Sequence, residues 1–189
     1  MISIVIACGT EDRPVMATLA ALVPGAAAGL IRDAILVDRT GSEAIARVAD
    51  VAGCELLRFS GSHAGALTAG VKAAGAPWLL FLPPGAIPEA GWVEECARFI
   101  NEPDNSDHGG RAAAFSYARR PYARFGLANM RKALMRAVVG PAPQQGLLIS
   151  RSHYERLGGH REERNAEAAL NRRIGRGALV TLTTRATTV

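Results

Sequence analysis

Acidic side chains stand directly behind two apolar runs of this chain. Thr10, Glu11 and Asp12 follow ISIVIAC closely, and Asp38 closes AILVD ahead of Arg39, Thr40, Gly41 and Ser42. A carboxylate at such a strand end can accept hydrogen bonds from ribose hydroxyls or from a base N–H. Asp12 and Ser42 are equally suited to capping a following helix, where a side-chain oxygen takes up a free backbone N–H. Asp38 ends a fully apolar strand before a Gly-containing turn and reads as a ligand group.

The commonest nucleotide-binding loops are missing. A dinucleotide fold wants G-x-G-x-x-G behind the first strand, and only Gly9 stands there. Gly61, Gly65 and Gly70 are spaced too widely and follow a different run, and no Gly-Lys-Ser/Thr phosphate loop occurs. Cys8, Cys54 and Cys96 are odd in number and lack paired spacing, so the expectation is reduced core thiols, with neither a disulfide framework nor a zinc site.

The elements that must position these groups alternate regularly. The run Ile2 to Cys8 is rich in β-branched residues and reads as a strand buried on both faces. A helix should follow with Asp12 as cap and Pro14 in its first turn, ending near Pro24 and Gly25. The pattern then predicts strand 34–38, helix 43–52, strand 55–59, helix 64–74, strand 78–82 and helix 89–100. Such alternation implies right-handed crossovers and a parallel sheet covered on both faces. Beyond a polar loop at 101–110 come a strand at 112–117, a basic stretch at 119–136, a strand at 146–150, helices from 152 and 163, and a strand at 179–183. In open sheets of this kind, ligands bind beyond the carboxyl ends of the strands.

With 189 residues, 49% of them apolar, the chain fits one domain with a substantial core. No apolar run approaches the roughly 20 residues that span a bilayer. No leader pattern is evident, and the expectation is a cytoplasmic protein. The net charge of +5 permits attraction to nucleic acid, phosphate or anionic lipid without choosing among them.

The order of these motifs resembles the family-2 glycosyltransferases of GT-A fold, over nearly the whole chain. ISIVIACGTED resembles an opening strand that ends in Pro-x-x-Asn-Glu, AILVDRTGS resembles Val-Asp-Gly-Gly-Ser, and SHAGALTAGVKAAGAPWLLFL resembles the Gly-rich helix entry and central strand. Near the other end, QQGLLISRSHYERLGGHRE looks like the acceptor-side segment, and EAALNRRIGRG looks like a helix that normally begins Glu-Asp and carries Leu-x-Arg-Arg. The resemblance implies an α/β, GT-A-like single domain over 1–189, with a mostly parallel central sheet and helices on both faces. Residues 1–100 would form the nucleotide-binding half and 111–189 the acceptor-side half.

The same resemblance assigns roles. Asp38 and Glu11 would contact the nucleoside of a nucleotide-sugar donor, and Glu167 would stand for the aspartate that deprotonates an acceptor hydroxyl. His63, before a predicted helix, would meet the donor phosphates. Arg172, Arg173 and Gln144 would lie on the phosphate or acceptor side. Glu167 and the arginines read equally well as surface charges of a helix, and His63 as a polar residue facing water.

One motif departs from the family. Its central strand ends in Asp-x-Asp or His-x-Asp, which holds magnesium or manganese on the donor diphosphate. In FLPPGAIPEAGW those positions fall on Pro83 and Gly85, whose side chains offer no oxygen ligand. The Gly-Asp-Gln before the acceptor segment has become Ala142, Pro143 and Gln144. The expectation is a divergent member that uses no metal cofactor, or a catalytically inactive nucleotide-binding or regulatory subunit.

The stretch Arg119 to Arg136 carries Arg119, Arg120, Arg124, Arg131, Lys132 and Arg136 with no acid among them. It reads as an amphipathic helix for the inner membrane surface, matching a lipid-linked acceptor or a membrane scaffold, or as a helix packed on the sheet with a basic edge. Nucleic acid is disfavoured because the stretch lacks an aromatic stacking platform.

Overall fold

The computed structural model describes residues 1–103, 110–117 and 145–189. The basic segment 119–136 and Gln144 lie outside the described residues. Strand β1 (Ile2–Cys8) is buried at every position. Its side chains alternate between two layers: Ile2, Ile4, Ile6 and Cys8 face one core, Val5 and Ala7 the other. On either side of it, in parallel, lie β2 (Ile31–Asp38) and β4 (Trp78–Phe81), and β3 (Glu55–Arg58) extends the sheet from β2.

The second half adds β5 (Ala86–Pro88), β6 (Ala112–Tyr117), β7 (Leu147–Ser150) and β8 (Leu179–Thr188), giving the order β3-β2-β1-β4-β7-β6-β8-β5. β7 runs antiparallel to both β4 and β6, β6 and β8 pair in parallel, and β5 closes the edge antiparallel to β8. Six of the described strands therefore point one way, and the sheet is mostly parallel as expected.

Helices cover both faces. α1 (Asp12–Ala27), α2 (Glu43–Ala52) and α4 (Trp92–Asn101) supply Val15, Leu22, Ile45, Ala49, Trp92, Cys96 and Phe99 to the first core. α3 (His63–Ala73), α5 (Arg151–Arg156) and α6 (Ala166–Ile174) supply Ala66, Leu67, Val71, Tyr154, Leu170 and Ile174 to the second. Gly70 lets α3 sit close on the sheet: a Cβ there would stand 2.6 Å from Val5 Cγ1 and 3.0 Å from Val37 Cγ2. The far end of α3 is held by Arg151, whose guanidinium donates to the carbonyls of Val71 (2.9 Å), Ala76 (3.4 Å) and Ala74. A cation on the last carbonyls of a helix satisfies free acceptors and complements the helix dipole.

Several sequence expectations are corrected. The N-cap position of α1 is Glu11, which makes no side-chain cap bond, and Asp12 is already helical. Pro24 does not end α1, which continues to Ala27. The helix expected from 89 starts at Trp92, because residues 86–88 are drawn into β5 by pairing with β8. The helix expected from 163 starts at Ala166, where Asn165 Oδ1 accepts the Ala168 N–H at 3.0 Å. The last strand runs on to Thr188 rather than stopping at 183, through a register shift opposite Ala114 to Ser116.

That shift is satisfied from α4. Glu95 accepts from Thr183 N and Oγ1, both at 2.7 Å, from Thr184 N at 2.8 Å and from Thr184 Oγ1. Burial alone would raise the Glu95 carboxyl, but the bonds from Thr184 and Thr183 outweigh it and hold the group down at about 2. Cys8 and Cys96 are buried free thiols and Cys54 is half-buried. No helix among the described residues is long and apolar enough to cross a membrane.

Candidate functional site

The carboxyl ends of β1 and β4 open onto a small cavity lined by Ala7, His63, Leu67, Phe81, Leu82, Pro83 and Glu167. Two helix starts meet there. Ser62 Oγ accepts from Gly65 N at 2.9 Å, which fixes the start of α3 and leaves His63 as its first residue. Asn165 caps α6 and leaves Glu167 in its first turn. The two side chains meet with Nε2 of His63 2.5 Å from Oε1 of Glu167, and both are partly exposed. Ser62 also donates to Glu162, which ties the start of α3 to the segment before α6.

The electrostatics of this pair favour a carboxylate. The hydrogen bond from His63 holds the Glu167 carboxyl below its ordinary range, against the opposing effect of burial. Behind the pair, Phe81 stacks on Tyr154 with ring centroids 5.4 Å apart, and His160 meets Phe81 edge-on at 4.8 Å. Tyr154 Oη accepts from His160 N at 2.9 Å and lies 3.0 Å from its Nδ1. Burial pushes the His160 imidazole down to about 4, so it is neutral at pH 7, and its enclosed Nε2 has no partner among the described residues. His160 and Tyr154 were missed in the sequence. The signal was Gly158-Gly159, both at positive φ, which turns the chain so that residues six apart meet.

Asp38 occupies the neighbouring strand end and is almost fully buried. Its Oδ1 accepts from Thr40 N at 2.9 Å, Thr40 Oγ1 at 3.0 Å and Gly41 N at 3.1 Å, which builds the turn after β2. Its Oδ2 is buried and without a partner among the described residues. A buried acceptor left open in this way is an anomaly that a ligand N–H or O–H would remove. Thr40 Oγ1 also reaches the Gly9 carbonyl at 3.5 Å, which links this turn to the loop carrying Glu11. Glu11 is exposed. Ser42 caps α2 as expected, through Ile45 N at 3.4 Å.

The remaining candidates are not brought to the cavity. Arg172 stands 3.7 Å from Glu163 in an exposed pair, and Arg173 Nη1 donates to the Leu157 carbonyl at 2.5 Å. Neither lines the cavity. Gln144 lies outside the described residues.

The turn after β4 does not fit a divalent cation. Pro83 lines the cavity with a hydrocarbon ring. Gly85 has φ +88, and a Cβ there would lie 2.9 Å from the Val189 carbonyl oxygen. Its N–H is directed at Pro14 O (3.0 Å) and Thr18 Oγ1 (2.9 Å), and its carbonyl accepts from Val189 N at 3.2 Å. Backbone and space at this position are thus committed to packing. Among the described residues, no group of three or more His, Cys, Asp or Glu side chains is placed to hold a metal.

Comparison of the whole chain with solved structures decides the architecture. TarS from S. aureus (residues 1–349) superposes with a TM-score of 0.73 at 11% identity, over 100% of this chain and 60% of that one. The mannosyltransferase PcManGT from Pyrobaculum calidifontis, in complex with GDP-Man and Mn2+, gives 0.68 at 14% identity, over 98% and 56%. This chain has a GT-A-like fold. Glucosyl-3-phosphoglycerate synthase from Mycobacterium tuberculosis, in complex with Mn2+, UDP and glucosyl-3-phosphoglycerate, gives 0.65 at 18% identity, over 96% and 68%. The chain thus spans between about half and two thirds of the length of these three structures. No family model and no curated protein sequence matches it.

Proposed function

We propose that this GT-A-like domain transfers a sugar from a nucleoside-diphosphate donor to a hydroxyl acceptor without a divalent metal. The observation that carries this reading is the convergence of Glu167, His63 and Pro83 on one cavity at the carboxyl ends of β1 and β4. A carboxylate and an imidazole there supply proton-accepting chemistry, while the metal positions offer no ligand. The buried, open Oδ2 of Asp38 supports a nucleoside contact at the adjacent strand end, with Glu11 on the neighbouring loop. Two of the structural neighbours hold GDP-Man or UDP, which supports the same donor class.

In this scheme Asp38 and Glu11 orient the nucleoside, and the start of α3, with His63, faces the diphosphate. The Glu167 side of the cavity takes the acceptor proton. The acceptor would be lipid-linked, with the basic segment 119–136 as the membrane contact. The test is release of UDP or GDP from a panel of nucleotide-sugars with EDTA present. The expected result is turnover that persists in EDTA and falls in Glu167→Gln, as loss of one member of an acid–base pair requires. No turnover of any donor, or turnover only with added Mn2+, overturns the proposal.

One observation favours a second reading. The cavity holds about 30 Å³, room for about one water molecule rather than a hexose. A nucleotide-binding or regulatory subunit that holds nucleotide at the Asp38 turn and carries out no catalysis needs no sugar in that cavity. It predicts that UDP or GDP raises the melting temperature while no donor is consumed.

A further inference from the structure

We propose that His63 and Glu167 act as one proton-accepting unit, in which Nδ1 of the imidazole takes the acceptor proton and the carboxylate holds the ring. This rests on the transferase reading above, moves the accepting atom from carboxylate to ring, and replaces the diphosphate contact given to His63 there. The geometry points to it directly. Nε2 of His63 is the nitrogen bonded to Glu167 Oε1, at 2.5 Å. An ionised carboxylate only accepts, so this nitrogen carries the hydrogen. In the neutral ring Nδ1 is then a lone pair, and it has no protein partner among the described residues.

Glu167 is engaged twice, by His63 and by its own backbone N–H. Both bonds favour its ionised form, which makes it a poorer proton acceptor than a free glutamate. Ordinary imidazole binds a proton about two pH units more tightly than an ordinary glutamate. The ring thus takes the proton on Nδ1 while the carboxylate holds the hydrogen on Nε2, as in other carboxylate–histidine pairs. The other titratable groups around the ring are Glu162, reached through Ser62, the neutral His160 behind Phe81, and Arg173 beyond it.

A histidine base also suits a site whose β4 turn, Pro83 to Gly85, offers no side-chain oxygen ligand. The acceptor O–H bond breaks and its proton passes to Nδ1. The oxygen electron pair forms the new bond to the anomeric carbon. The bond from that carbon to phosphate oxygen breaks, and its electrons leave on the nucleoside diphosphate. A glutamate that accepts the proton becomes neutral at this moment. The histidine becomes cationic instead, on the cavity wall it shares with Pro83, as negative charge builds on the leaving group.

The test uses the full chain with His63→Gln and Glu167→Gln, after thermal melts show both folded. UDP release from UDP-glucose, or GDP release from GDP-mannose, is followed between about pH 5.5 and 9. The expected loss is about 10² to 10⁴-fold for His63→Gln and smaller for Glu167→Gln, because the second keeps the accepting atom. Removing the carboxylate should also move the acidic limb of kcat/KM to lower pH, and added imidazole should restore rate to His63→Gly. If Glu167 alone is the base, His63→Gln is the milder variant and moves that limb to higher pH, and imidazole does nothing. Nitrogen-15 spectra of the imidazoles give a readout without turnover: neutral His63 should be the Nε2–H tautomer, and Glu167→Gln should lose that preference. An Nδ1–H tautomer overturns the proposal. A wild type that consumes no donor overturns the transferase reading and the proton transfer with it, while the tautomer still reports the pairing.

Discussion

Two turns occupy equivalent places at the carboxyl ends of parallel strands, and they have been put to opposite uses. After β2, Asp38 is buried and given three donors on one oxygen, while the other has no partner among the described residues. After β4, positions 83 to 85 carry no charge, and Gly85 is wired through its backbone to Pro14, Thr18 and Val189. The first turn spends its polar groups on presenting an acceptor, the second on closing the fold. Strand ends of one sheet can therefore carry different polar groups independently, because the sheet's core lies below both.

The comparison breaks most visibly if an acid is placed in the second turn. Gly85→Asp should destabilise the protein by about 2 to 4 kcal/mol, from positive φ and collision with the Val189 carbonyl. Chemical denaturation checks the loss, and calorimetry should find no gain in Mn2+ affinity. Asp38→Ala should cost about 2 kcal/mol, since Thr40 and Gly41 lose their acceptor, and should abolish any thermal shift with UDP or GDP. Asp38→Asn should retain most of the stability, because an amide oxygen can still accept.

The β5–β8 edge that covers Gly85 should respond to acid. The Glu95 carboxyl lies at about 2, below its ordinary value near 4.5, so its bonds stabilise the fold above that ordinary value. The contribution fades as pH falls from there toward 2. Partial exposure limits it to about 1 kcal/mol. Hydrogen exchange at Thr183 and Thr184 should rise over that window, and Glu95→Gln should remove the dependence. The smallest effect is expected at Pro83→Asp, where the side chain faces the cavity: a stability change within about 1 kcal/mol. A large loss there would erase the contrast between positions 83 and 85.

Most of the first half of the fold was legible because strand and helix periods are local. Helix Glu43–Ala52 and strand Ile2–Cys8 have the bounds their patterns predict. The antiparallel placement of β7 and the existence of β5 were not legible, since three residues, AIP, become a strand only by pairing with residues about 100 positions away. In the site, Asp38 and His63 could be flagged by position along the chain. Glu167 could be flagged through the family resemblance, but its pairing with His63 was not legible, since it spans 104 residues, nor was the Tyr154–His160 contact, which depends on a Gly-Gly turn.

The grip of Arg151 on the last carbonyls of α3 has a mechanical side. His63 is the tip of an 11-residue rod whose other end is pinned. Such a rod is about 16 Å long, so a tilt of about 4° at the pin carries the tip about 1 Å. Displacement on that scale can cost a reaction about 100-fold. The sharpness with which the imidazole is aimed is therefore set at the amino end of β4, by a side chain that does not line the cavity.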